Sequence, residues 1–129
     1  MTRYSACIEM LFVPETDDFA QRIHLAKAEG FDLVEFWLWS NKDLDAVERA
    51  LAETGVKIAG IVAEPFAELT RESEHDRFLA GLEQSRDVAL RLGTNVLICQ
   101  SGPLLEGIDR ARQHDALASQ LGLNRSALV

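Results

Sequence analysis

Three stretches of this sequence share one pattern: AKAEGFDLVEFW (26–37), LAETGVKIAGIV (51–62) and ALRLGTNVLICQ (89–100). Each is the end of an amphipathic helical segment, then glycine, then one or two residues, then an apolar run. Glycine just past a helix end takes the left-handed cap conformation without a Cβ penalty. The apolar runs are rich in Val and Ile and have strand length, so each copy reads as helix, cap, strand.

The segments between the copies have helical spacing. Leu44, Val47 and Leu51 form one stripe, Phe78, Leu82, Ala89 and Leu92 a second, and Phe19, Ile23 and Ala26 a third. Asp17 and Asp18 favour a helix start there through the helix dipole. The reading is strands at 3–9, 32–37, 57–62 and 95–100, with helices at 17–29, 43–54, 75–92 and 107–121. Such alternation is a parallel βαβ array with right-handed crossovers. Both faces of a parallel sheet are normally covered, which accounts for continuous apolar runs such as VLIC (96–99). A fourth copy, ASQLGLNRSALV (118–129), starts with the Leu-Gly-x-Asn of the third, and Arg125 and Ser126 interrupt its apolar run. The longest break is the acidic loop AEPFAELTRESE (63–74). No linker or low-complexity segment divides the chain, so residues 1–129 are expected to form a single partial domain.

The fold class is therefore α/β, and two parallel architectures compete. A dinucleotide-binding sheet places a glycine-rich phosphate loop after its first strand. Here that loop is MLFVPETD (10–17), acidic and without glycine, so a dinucleotide site is excluded. A (βα)8 barrel needs about 250 residues, and the 129 residues here would make half of one.

The sequence YSACIEMLF (4–12) followed by DFAQRIHLAKAEGFDLVEFW (18–37) resembles the hydroxypyruvate isomerase group of the xylose-isomerase-like TIM barrels. The likeness continues through RFLAGLEQSRDVALRLGTNVLICQSG (77–102) and EGIDRARQHDAL (106–117). It implies a parallel (βα)4 half of a TIM barrel, truncated before strand five. It also implies a sugar or keto-acid isomerase lineage, moving a proton between adjacent carbons with a divalent metal and a pair of glutamates. In that family the metal ligands and both glutamates lie on strands five to eight, so no catalytic residue and no metal ligand carries over to this chain. The divalent metal belongs to the full-length family, no cofactor is expected in this chain, and the chain alone is expected to be inactive.

The C-terminal strand ends of such a barrel face the chemistry. Glu9, Glu35, Glu64 and Gln100 fall there and are the candidate substrate-binding residues, with Trp37 as a pocket wall. Carboxylates and an amide converging on one sheet end suit a small hydroxylated or keto-acid substrate, although strand ends that merely meet solvent also carry Glu. Trp39 is either a second wall or packed on the following helix. Phe12 and Phe66, in the loops after strands one and three, are candidates for an apolar lid. His24, His75 and His114 fall on helices, which lie outside a barrel and away from its chemistry. Asp109, Arg110 and Arg112 read as a solvated helix face.

Composition limits the partners. There are 21 Asp and Glu against 13 Lys and Arg, a formal net charge of −8, and no basic stripe to meet a phosphate backbone, so nucleic acid is excluded. An endonuclease-IV-like DNA role, which the same superfamily contains, is disfavoured for that reason. No stretch approaches the 18 or so apolar residues that begin to suggest a membrane span, and the N-terminus lacks a secretory cleavage pattern. Cys7 and Cys99 lie in apolar runs without a CxxC pair, and are expected to be buried free thiols in a reducing cytoplasm. A half barrel leaves two strand edges and the inner layer uncovered, so the chain is expected to homo-oligomerise through its open edges. Apart from a broken isomerase, the residues also fit a non-catalytic ligand-binding half barrel, or a fragment of a related inosose dehydratase or sugar epimerase.

Overall fold

The computed structural model describes residues 3–122. Its elements run β1 (Ala6–Cys7), α1 (Gln21–Ala28), β2 (Leu33–Phe36), α2 (Leu44–Thr54), β3 (Lys57–Val62), α3 (His75–Arg91), β4 (Leu97–Ile98) and α4 (Arg110–Gln120), with one 3-10 turn at Glu72–Glu74. The four strands form one sheet in the order β1-β2-β3-β4. Every neighbouring pair is parallel. This is the parallel βαβ array expected from the alternation, in the (βα)4 half-barrel form that the resemblance implies.

The repeated glycines act as caps. Gly30, Gly55 and Gly93 have φ of 89°, 70° and 75°. After α1 the Phe31 amide donates to the Ala26 carbonyl at 2.9 Å, and after α3 the Thr94 amide donates to the Ala89 carbonyl at 2.9 Å. These six-to-one bonds close Schellman motifs and aim the chain back into the next strand. The apolar run of the fourth copy lies outside the described residues, although its Gly122 also has a positive φ, 62°.

The expected boundaries move at the edges of the sheet. β1 and β4 are two-residue ladders rather than 3–9 and 95–100, because each has a pairing partner on one side only. α1 begins at Gln21 rather than 17, since Asp18 Oδ1 accepts from the amides of Ala20 and Gln21 and holds a preceding turn. α4 begins at Arg110 because Asp109 is its N-cap, accepting from the Ala111 amide at 2.8 Å. Asp109 is thus a cap as well as part of the exposed face it shares with Arg110 and Arg112.

The three stripes pack as their spacing requires. Ile23, Ala26, Val47, Ala50 and Ala89 meet Ala6, Ile8, Val34, Phe36, Ile58 and Ile61 in one core between helices and sheet. A smaller core lies under the 63–74 loop, where Ala67 and Leu69 are buried with Ala63 and Phe78. That loop is therefore packed, not simply a solvated acidic break. Gly81 lets α3 approach it: a Cβ there would stand 2.1 Å from Pro65 Cδ and 2.3 Å from the Glu64 carbonyl oxygen. The Glu64–Pro65 peptide is cis.

The cysteines are free, as expected, but not buried. Cys7 is half-buried and Cys99 exposed. Cys7 alternates with the helix-facing Ala6 and Ile8 and so lies on the opposite sheet face, away from the helices among the described residues. Partial burial of the thiol still pushes the pKa of Cys99 up. Among the described residues no helix is long and apolar enough to cross a membrane.

Candidate functional site

Strand register decides which side chains share the face opposite the helices. Cys7 pairs with Glu35 and Glu35 with Gly60, across an irregularity between Val34 and Glu35. Side chains alternate along a strand. With Ala6, Val34 and Phe36 in the helix-side core, Cys7 and Glu35 occupy the other face, and Glu9 and Trp37 follow just past the ends of their strands. Leu97, which packs on the helix-side core, pairs with Ile61, so Ile98, the partner of Val62, lies on the other face, and Gln100 follows two residues past the end of β4. All five expected site residues therefore lie at the C-terminal end of one sheet, but they do not do the same work.

Two of the three carboxylates are committed to the protein. Glu64 accepts from the Trp39 amide at 2.6 Å, the Ser40 amide at 3.0 Å and the Ser40 hydroxyl at 2.6 Å. Glu9 accepts from the Trp37 amide at 3.1 Å and from Lys42 Nζ at 2.9 Å. The Lys42 side chain is 7% exposed and that of Glu9 20%. Lys42 Nζ also donates to Asn41 Oδ1 at 2.8 Å and stands 4.5 Å from the Phe19 ring centroid. A cation so enclosed needs these partners. Together Glu9 and Glu64 hold the β2–α2 loop, residues 37–42, by its backbone amides and its lysine.

One buried hydroxyl completes the clamp. Ser85 on α3 is fully buried. Its Oγ accepts from Trp39 Nε1 at 3.0 Å and from the Glu64 amide at 2.8 Å, and donates to the Glu64 carbonyl at 3.2 Å. Sequence reasoning missed Ser85, Lys42 and Ser40. A signal for Ser85 existed: it is the one polar residue on the stripe 78, 82, 85, 89, 92.

Glu35 differs from its neighbours, because its side chain has no hydrogen bond or ion pair among the described residues. Trp37 beside it is 44% exposed, and Gln100 is exposed. Trp39 is packed through its indole, so of the two tryptophans only Trp37 offers a free ring face. The Phe12 and Phe66 lid does not form as a pair: Phe12, at φ 66°, packs against the main core, while Phe66 is exposed. The histidines lie on helices as expected. His24 is 3.4 Å from Glu53, and His75 Nε2 is 3.0 Å from the Leu69 carbonyl.

Among the described residues no three His, Cys, Asp or Glu side chains converge to hold a metal ion. The donors at the sheet end do not fit one: Glu9 and Glu64 are taken up by amides, a hydroxyl and an ammonium, leaving Glu35 alone. A cleft of about 510 Å³ lies apart from them, between the loop at Thr70–Ser73 and the start of α4 at Asp109 and Arg112.

No protein-family model matches the sequence, and comparison with curated proteins gives no match. Solved structures do match. An AP endonuclease, family 2, from Brucella melitensis superimposes with a TM-score of 0.83 at 24% identity, over 93% of this chain and 48% of the other. A protein from Sinorhizobium meliloti 1021 gives 0.66 at 20% identity, over 97% and 47%. A D-allulose 3-epimerase from Methylomonas sp., in complex with D-allulose, gives 0.67 at 17% identity, over 92% and 44%. This chain thus spans less than half the length of each. At these identities the likeness concerns the fold alone, a parallel (βα)4 sheet that matches about half of a TIM barrel.

Proposed function

We propose that this chain is a half barrel of sugar or keto-acid isomerase lineage, of hydroxypyruvate isomerase type, which binds a small hydroxylated or keto-acid ligand without turning it over by itself. The observation that carries this reading is the division of labour among the carboxylates. Glu9 and Glu64 fix the loop, while Glu35 is left uncommitted beside the exposed Trp37 at the end where barrels of this kind do their chemistry. A free carboxylate accepts hydrogen bonds from ligand hydroxyls, and an indole face covers the apolar side of a small polyol. Aldose–ketose proton transfer needs a base and a means of stabilising the enediolate. Among the described residues the sheet end offers one uncommitted carboxylate and no group of three metal-ligating side chains, so both proton-transfer groups and the family's divalent metal are assigned to a complementary half. The sugar-epimerase reading draws on the fold likeness to the D-allulose enzyme, and it shares the same ligand class.

The test is a titration of the chain with hydroxypyruvate and with D-allulose, followed by heteronuclear NMR of the Trp37 indole and by product analysis. Saturable shifts that weaken about tenfold in Glu35→Gln, with no product formed, are expected; a loss of that size corresponds to about 1.4 kcal/mol. Turnover by the chain alone, or binding indifferent to Glu35→Gln, defeats the proposal.

A further inference from the structure

The cleft of about 510 Å³ between the 70–73 loop and the start of α4 lies outside the site described above. Its walls are the loops that leave the C-terminal ends of the neighbouring strands β3 and β4. Loops at that end are where parallel α/β folds hold their ligands. The volume is within the range of small-molecule sites, about 300–1,000 Å³. Both walls are fixed by contacts of their own. On the β3 side the Arg71 guanidinium bonds the Glu68 carboxylate, and the Arg71 amide donates to the Glu68 carbonyl at 2.8 Å. On the β4 side the Gln113 side chain is buried. Its Oε1 accepts from the Leu105 amide at 2.9 Å, and its Nε2 donates to the carbonyls of Leu105 at 3.0 Å and Ile108 at 2.9 Å. The two loops also touch, since a Cβ on Gly102 would stand 3.0 Å from the Glu68 Cα. A ligand entering between them therefore has little ordering to supply.

The charged side chains that line the cleft are Arg71, Glu72, Asp109 and Arg112. Arg71 is taken by Glu68, and Asp109 caps α4 through the Ala111 amide. Glu72 and Arg112 have no hydrogen bond or ion pair among the described residues, although they are of opposite sign and line one cleft. Thr70 lines it as well, and its hydroxyl has no hydrogen-bond partner. Ile108 and Ala116 supply an apolar wall. A simple anion would meet the guanidinium but also the carboxylates of Glu72 and Asp109, and a simple cation would meet the two arginines. A molecule carrying both signs satisfies both unpaired groups at once. We propose that this cleft binds a small zwitterion of the α-amino-acid type, with its carboxylate on the Arg112 fork, its ammonium on Glu72 and an aliphatic side chain against Ile108 and Ala116. A guanidinium matches a carboxylate in a two-point pair, which fixes orientation as well as charge. The inference rests on the cleft alone and is independent of Glu35 and of the functional reading.

The test is a heteronuclear NMR titration of the intact chain with L-leucine and with its two halves, 4-methylpentanoate, which lacks the ammonium, and 3-methylbutylamine, which lacks the carboxylate. Saturable shifts of the Ser73 and Gly107 amides are expected with leucine, with binding at least about tenfold weaker for either half. Arg112→Met and Glu72→Gln should each weaken leucine binding by about the same factor. Both residues are exposed, so the far-UV circular dichroism should be retained. Arg110→Met, one turn position away on the same helix start, and Glu35→Gln should leave leucine binding unchanged. No saturation with leucine, equal binding of 4-methylpentanoate, or binding indifferent to Arg112→Met and Glu72→Gln overturns the proposal. Leucine binding without any hydroxypyruvate or D-allulose binding would support this inference while removing the functional reading, and the converse would do the reverse.

Discussion

Ser85 shows how much one buried hydroxyl can decide. It is donor to one group and acceptor from two, and joins α3 to the Glu64 backbone and the Trp39 indole. Ser85→Ala keeps the volume nearly unchanged but leaves the Trp39 indole N–H and the Glu64 amide unpaired in a water-poor place. A buried donor left without a partner costs about 1–3 kcal/mol. Chemical denaturation should show a stability loss in that range, and tryptophan emission should shift to the red as Trp39 loosens. An unchanged midpoint and spectrum would mean that water replaces the hydroxyl. The Glu9–Lys42 pair was not legible in the sequence for a related reason. The two residues are 33 positions apart, and only the curvature of the β2–α2 loop brings the ammonium under Phe19 and onto the carboxylate.

At the scale of elements, the helices are held to the sheet by shape and to each other by charge. Arg91 near the end of α3 bonds Glu48 and Asp45 of α2. These partners raise its guanidinium pKa further above its already high value, so it stays charged at any relevant pH. The group is solvent-exposed, and pairs of that kind contribute little. The close approach of α3 to the 64–65 peptide matters more. Glycine inside a helix is ordinarily a weakness of about 1 kcal/mol relative to alanine. Gly81→Ala should nevertheless destabilise, because the added methyl meets Pro65 and the Glu64 carbonyl backbone, and overpacking of this sort costs about 1–3 kcal/mol or more. A thermal melt separates the two: a rise in Tm means that propensity wins, a fall of several degrees that the contact does. Because Glu64 lies at that contact, the same substitution should also disturb the amides of Trp39 and Ser40.

At the scale of the whole molecule, charge is the property that bears on nucleic acid. A net charge of −8 opposes approach to a phosphate backbone, and no basic stripe offsets it. Fluorescence anisotropy with duplex DNA, intact or carrying an abasic site, should show no binding at about 50 mM salt, where phosphate contacts are strong. A salt-sensitive rise in anisotropy would reverse that conclusion and would move attention to Arg71 and Arg112 in the cleft between the 70–73 loop and α4.

The sequence by itself determined the alternation of elements. Each cap glycine, each stripe and each apolar run is a local signal, set by backbone sterics and by the 3.6 and 2.0 side-chain periods. These survive without knowledge of any distant residue. The sequence also placed Glu9, Glu35, Trp37, Glu64 and Gln100 at one sheet end, since strand order and direction fix which ends converge. Which of those side chains is free was decided only in three dimensions. A carboxylate is spent or available according to the amides, hydroxyls and ammonium groups that loops bring within about 3 Å, and those donors come from residues 24 to 33 positions away. The thiols followed the same rule. Apolar neighbours in sequence suggested burial for Cys7 and Cys99, but burial depends on what covers a strand face, and among the described residues the helices lie on one face only.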